Sequence, residues 1–283
     1  MNRLSYTTIK KIIFFCIFLS FYSFAYSENK DTVLRVIRYD FSLRNTTGQA
    51  IPKAKFWAYA PVKENSTQKV IELKTSYPYE LSVDDKGNQV LYFTFADIPP
   101  YTDKIITIEA KLLLSKKIKK NKTSDSKIYL KPEKYIESDN PEIMLVSKGL
   151  KGRTVVKSAE NIFKWVTENI KDAGYMEEPR GAFFAFKNKA GDCTEQAYLF
   201  VALCRANNIP ARVIGGYVCA NNKVLKPEEY HNWAEFYYVG KWRLVDPQKK
   251  VFMDKQPDYI AMEITSESNN NLMKQYHRFR SEL

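Results

Sequence analysis

Gly191-Asp192-Cys193-Thr194-Glu195-Gln196 opens the stretch from which the rest of the chain can be read. After Cys193, the residues Ala197, Phe200, Val201 and Cys204 recur at helical spacing. This predicts a helix from Cys193 to about Ala206 with one buried face. Asp192 is a good N-cap, since its carboxylate can accept the helix's first free N–H groups. Asn207-Asn208-Ile209-Pro210 stops the helix. Cys193 then lies in the first turn, where unpaired N–H groups and the helix dipole favour negative charge. Both effects are expected to lower its thiol from the usual ~8.5. Cys204, on the same helical face, reads as a cysteine that merely packs.

Three strands are predicted downstream: Ala211–Val218, His231–Tyr238 and Lys241–Asp246. They carry His231-Asn232-Trp233-Ala234-Glu235 and Val245-Asp246-Pro247. If the last two form a hairpin, a two-residue turn at Val239-Gly240 sets Asp246 opposite Trp233. A longer loop from Tyr237 to Gly240 sets it opposite His231. Trp233 and His231 share a face because side chains alternate along a strand, so either register brings the carboxylate near the imidazole. A thiol, a base beside it and a carboxylate orienting the base are the parts of a thiol nucleophile. The catalytic candidates are therefore Cys193, His231 and Asp246. Only two histidines compete for the role of base, and His277, near the C-terminus, reads as surface. Trp233 and Glu235 are expected to support the cleft. Trp233 would cover the imidazole–carboxylate pair, and Glu235 would hold an arginine such as Arg212 or Arg243, or close the sheet edge. No metal or other cofactor is expected: Cys193 and His231 lack a second close ligand at zinc spacing, and Gly215-Gly216 lacks the rest of a nucleotide fingerprint.

Further from the motif, Ser158–Ile170 places Ile162, Phe163, Val166 and Ile170 on one helical stripe. Residues 31–114 instead alternate apolar and polar residues in short runs, such as Lys55-Phe56-Trp57-Ala58-Tyr59-Ala60 and Val90-Leu91-Tyr92-Phe93-Thr94-Phe95. Turn clusters separate these runs, which suggests an all-β sandwich. The fold class is thus α+β. An export signal is expected over residues 1–27, a β-sandwich-like domain over 28–114, a basic linker over 115–138 and the α+β catalytic domain over 139–283. Arg3, Lys10 and Lys11 precede a mostly apolar run, 12–24, and small residues sit at Ser23 and Ala25, or at Ala25 and Ser27, either pair giving a cleavage site. That run is short of the ~20 residues a spanning helix needs. The chain therefore reads as exported, periplasmic or secreted, the alternative being an uncleaved anchor in the inner membrane.

The net charge is +12, and +9 without residues 1–27. It is spread along the chain rather than concentrated with aromatic residues on one face, which argues against a nucleic-acid partner. Its one dense patch, Lys116-Lys117-Ile118-Lys119-Lys120-Asn121-Lys122, reads as a solvated linker that an acidic envelope or lipid surface would attract. Without Cys16 the chain keeps Cys193, Cys204 and Cys219, an odd count that leaves at least one thiol free. Cys204 and Cys219 either pair or remain two buried thiols. Oligomeric state is not legible.

The run from Gly191 through Arg205-Ala206, then Ile209-Pro210-Ala211-Arg212, Gly215-Gly216-Tyr217, His231 to Glu235, Trp242 and Val245-Asp246-Pro247, resembles the transglutaminase-like superfamily. This is the bacterial branch of papain-like thiol enzymes. The resemblance spans roughly residues 140–250, and the β region upstream is similar to the N-terminal part of exported bacterial members. It implies Cys193 as nucleophile, His231 as base and Asp246 as orienter; the expected substrate is a protein or peptide, and the basic patch adds cell-envelope components as expected partners. One family feature is missing. Papain-like enzymes place a Gln before the cysteine and animal transglutaminases a Trp, whereas Lys187 to Ala190 has neither. The expected activity is cleavage of amide bonds through an acyl-enzyme, with peptidase or amidase action ahead of amine-transferring cross-linking. The alternative is a catalytically inactive interaction protein of the cell envelope that keeps the fold.

Overall fold

A computed structural model describes residues 31–120, 126–265 and 279–282, the last four as backbone. The export-signal reading, Cys16 and His277 fall outside these residues. The elements run β1 (Thr32–Arg44), β2 (Ile51–Ala60), β3 (Gln68–Thr75), β4 (Glu80–Val83), β5 (Gln89–Ile98) and β6 (Asp103–Ser115). Next come α1 (Pro141–Gly149), α2 (Val155–Asn169), β7 (Lys171–Asp172), α3 (Ala182–Asn188), β8 (Ala190–Gly191) and α4 (Cys193–Ala206). The chain continues with β9 (Ala211–Val218), β10 (Lys223–Val224), β11 (His231–Tyr238), β12 (Lys241–Asp246), β13 (Val251–Phe252), β14 (Tyr259–Ile264) and β15 (Phe279–Glu282).

The alternating sequence of the first third does form a sandwich. One sheet has the order β10-β1-β6-β3 and the other β15-β2-β5-β4. β1 and β6 pair antiparallel along their whole lengths, from Thr32 opposite Ser115 to Arg44 opposite Asp103. Their inward residues, Ile37, Tyr39, Ile106 and Ile108, pack on Phe56, Leu91 and Phe93 of the facing sheet. Both sheets take an edge strand from far downstream. β10 lies parallel to β1, and β15 lies antiparallel to β2.

The third sheet, β13-β12-β11-β9-β14, is antiparallel throughout. α4 packs on one of its faces, with α1, α2 and α3 around it. Leu199, Phe200, Val201 and Leu203 of α4 are fully buried. Each such side chain contributes roughly 1.5–3 kcal/mol of burial. On the other face Trp233, Trp242, Ile214, Leu244 and Tyr259 form a second cluster. The predicted stripe of α2 is present, with Ile162 and Val166 fully buried and Phe163 half-buried against the same core.

Two joins make the parts continuous. Tyr217, Ile260 and Met262, from β9 and β14, belong to the sandwich core. The backbone N–H of Val62 donates to Ala261, and the Gln68 side chain donates to Val62 and Ala261 carbonyls. The stretch after the basic patch is packed as well: Tyr129 is buried edge-on against Trp242, 5.1 Å between ring centres.

Candidate active site

α4 begins at Cys193 because Asp192 caps it. The Asp192 side chain accepts from the Thr194 N–H at 2.7 Å, and the Glu195 side chain accepts from the Asp192 N–H at 3.3 Å. This reciprocal arrangement is a capping box. Glu195 is fully buried and also accepts the Arg180 N–H at 3.0 Å. Burial raises its carboxyl to about 7, and the neighbouring Asp192 side chain adds to the effect.

The hairpin adopts the two-residue register: Tyr238 pairs with Lys241 and Ala234 with Val245. Val239 (φ 50°) and Gly240 (φ 74°) are both left-handed, as the favoured two-residue hairpin turn demands. Asp246 therefore lies across from Trp233 and diagonal to His231. The diagonal is bridged: His231 Nε2 and Asp246 Oδ2 are 2.7 Å apart, both side chains buried.

Asp246 is completely buried and well supplied with donors. The Tyr259 hydroxyl donates to Oδ2 at 2.8 Å and the Lys249 N–H donates to Oδ1 at 3.0 Å. Burial, reinforced by the Asp246 charge, pushes the Tyr259 phenol far above its ordinary value, so it remains a donor. Trp233 lies against the imidazole at 6.4 Å between ring centres and against Tyr259, edge to face, at 5.1 Å. With 2% of its surface exposed, Trp233 keeps water from the pair, which strengthens the electrostatic interaction there.

Cys193 is half-buried, with the Asn232 backbone and the Thr194 side chain beside it. The Asn232 side chain donates to Thr194 Oγ1 at 2.8 Å. The first turn of α4 is thus tied to the residue that follows His231. The expected lowering of the thiol is outweighed here. Burial pushes Cys193 up to about 11, and the negative charges of Asp192 and Asp246 act in the same direction. The Asn232 backbone and the Thr194 side chain oppose that rise without cancelling it. Cys204 and Cys219 are free thiols, both buried.

Glu235 stands apart from this group. It accepts from Arg212 at 2.9 Å (Nε) and 2.7 Å (Nη2), and the guanidinium lies 4.0 Å over the Trp242 ring. Trp165 stacks on Phe186 with the Lys189 ammonium over both rings, and Gln196 donates to the Gly191 carbonyl. Gly215 and Gly216 are needed for space. A Cβ on Gly216 would overlap the Ile260 carbonyl, and one on Gly215 would overlap the Tyr230 hydroxyl. Among the described residues, no cluster of three His, Cys, Asp or Glu side chains is placed to hold a metal ion, and no helix is long and apolar enough to cross a membrane.

Sequence reasoning missed Tyr259, Thr194 and the buried role of Glu195. For Glu195 a signal exists, since an acid three residues after an N-cap Asp is the capping-box pattern. Tyr259 carries none: it reaches Asp246 only because β14 pairs with β9, beyond β11.

Residues 146–247 match the family model of the transglutaminase-like superfamily, a span that holds all of Cys193, His231 and Asp246. This segment of the chain is transglutaminase-like. No curated protein matches the sequence significantly. Among solved structures, the chain is similar to a provisionally assigned cysteine protease from Cytophaga hutchinsonii. That similarity has 17% identity and a TM-score of 0.64, over 89% of this chain and 86% of the other. The periplasmic domain of TgpA from Pseudomonas aeruginosa is a looser match, with 13% identity and a TM-score of 0.39, over 74% of this chain and 93% of that one. The Cytophaga similarity establishes a shared fold.

Proposed function

We propose that this chain is an exported thiol enzyme that hydrolyses amide bonds of proteins or peptides through an acyl-enzyme. The observation that carries the reading is the buried His231–Asp246 contact of 2.7 Å at the strand end that is tethered, through Asn232, to the first turn of α4. In this reading Cys193 passes its proton to His231 and attacks the substrate carbonyl. The backbone N–H of Cys193 donates to the developing oxyanion. The C–N bond breaks as His231 returns the proton to the leaving amine, which leaves a thioester on Cys193. Water then gives a proton to His231 and attacks the thioester, releasing a carboxylic acid and restoring the thiol. Asp246 holds the ring through Nε2, which leaves Nδ1 for the proton transfers. Water is favoured over an amine as acceptor because it is abundant outside the cytoplasm.

Burial alone keeps the sulfur protonated near neutral pH, so the reading requires an imidazolium partner to offset it. The test is alkylation by a thiol-selective reagent across pH. Cys193 should label well below pH 8, and His231→Ala should suppress that labelling. Equal labelling of the two proteins would point instead to a fold retained for interaction. Supplying a primary amine and looking for it in the product separates hydrolysis from transfer.

A further inference from the structure

We propose that one end of the β-sandwich is a docking surface for an anionic lipid bilayer. The inference is independent of the thiol chemistry. The lysine-rich patch is a fastened part of this surface. The Lys116 N–H donates to the Asp31 carbonyl, the Lys119 N–H donates to the Ser66 carbonyl, and Ser115 Oγ donates to the Lys117 carbonyl at 2.7 Å. The stem of Lys120 lies beside Gly240, at the β11–β12 turn. Lys116, Lys117, Lys119 and Lys120 are all exposed. Lys117 pairs with Asp31 at 2.6 Å, while no ion pair engages Lys116, Lys119 or Lys120 among the described residues.

Apolar surface adjoins these charges. Leu34 on β1 lies directly opposite Leu113 on β6, and Lys69 on β3 lies on the other side of Leu113. Leu34 is 47% exposed, and Ile71, at the bulge in β3, is 46% exposed. Leu113 and Ile118 line a recess of about 460 Å³ that is shared with Lys117 and Lys119. An apolar patch rimmed by cations is the pattern of a surface that lies in the headgroup layer. Lysine stems bury against apolar surface while their ammonium groups reach lipid phosphates.

The chain outside the described residues supports the same occupant. The apolar run 12–24 ends seven residues before Asp31, the residue that the patch holds. Seven residues span at most about 25 Å. On the alternative reading of residues 12–24 as an uncleaved anchor, this end of the sandwich lies within that reach of the bilayer.

The experiment is flotation of the full chain with vesicles of neutral phosphatidylcholine, or of the same lipid with about a third phosphatidylglycerol. Arg3, Lys10 and Lys11 beside the N-terminal run favour anionic vesicles by themselves, so the readout is the part of the anionic preference that depends on the four lysines. The surface described here adds an excess of about tenfold or more on anionic vesicles. That excess should vanish in about 1 M salt, where the Debye length is about 3 Å. Reversal of the four lysines, Lys116→Glu with Lys117→Glu, Lys119→Glu and Lys120→Glu, should abolish it, with an unchanged melting temperature showing that the fold is intact. Should the reversal unfold the protein, the same four positions changed to Gln give the same readout. Leu34→Ser should weaken anionic binding several-fold. Equal binding to both vesicles, or an anionic excess that loss of the four charges leaves undiminished, would overturn the proposal.

Discussion

Tyr259→Phe isolates one hydrogen bond at the buried carboxylate. The phenol donates to Asp246 Oδ2 at 2.8 Å, the same oxygen that His231 engages. A hydrogen bond to a charged acceptor contributes about 1.5–3 kcal/mol. Phenylalanine keeps the ring and hence the edge contact with Trp233, so the loss should stay near that bond's worth, about 2 kcal/mol. For a chain of this size each kcal/mol moves the melting temperature by roughly 2–4 °C, giving a fall of about 4–8 °C. Urea unfolding should show a lower midpoint with an unchanged slope. Asp246 keeps its His231 and Lys249 partners, so turnover should fall by about tenfold or less, whereas Asp246→Ala should nearly abolish it. A Tyr259→Phe protein as stable as the parent, within about 0.5 kcal/mol, would refute the assignment of this tyrosine as a support of the carboxylate.

Three further outcomes are expected. Gly216→Ala should yield little folded protein, because the new methyl overlaps the Ile260 carbonyl and stands 2.8 Å from the Trp233 ring; normal yield and melting would contradict the packing described. Glu235→Ala strands a buried guanidinium and should cost about 3–5 kcal/mol in urea unfolding, while activity per folded molecule stays near normal. The third concerns pH. Glu195 titrates at about 7 when folded, against about 4.3 in an unfolded chain. The folded state therefore binds more protons between these values. Stability should fall as pH rises through that window, on the order of 1–3 kcal/mol, and level off above it. Burial raises Glu263 to about 7 as well, so Glu195→Gln should make the profile measured by urea midpoints shallower without flattening it, and an unaltered slope would refute the contribution of Glu195.

The elements nearest the motif were readable because their signals are local. Asp192 caps, Asn207 to Pro210 stops, and Val239-Gly240 turns. The strands carrying His231 and Asp246 have the bounds expected from their alternation. α3 was not foreseen: Ala182-Phe183-Phe184-Ala185-Phe186 is too short and too evenly apolar to show a period. Nor were the pairings of β10 with β1 and β15 with β2, which join segments that no sequence window contains. The Cys193 environment was misjudged for a related reason. A helix terminus is visible in sequence, whereas the burial that outweighs it arises from β11 packing across the first turn. Tyr259 was invisible because its partner lies across two strands.

The sheet of β2, β4 and β5 acquires its outer strand, β15, from residues 279–282. A ribosome releases the chain from its beginning, so the early strands emerge long before this one exists. Until it arrives, the outer edge of β2 presents bare N–H and C=O groups, a template on which a neighbouring nascent chain can add. Closure of this sheet must therefore wait until residues 279–282 have been made.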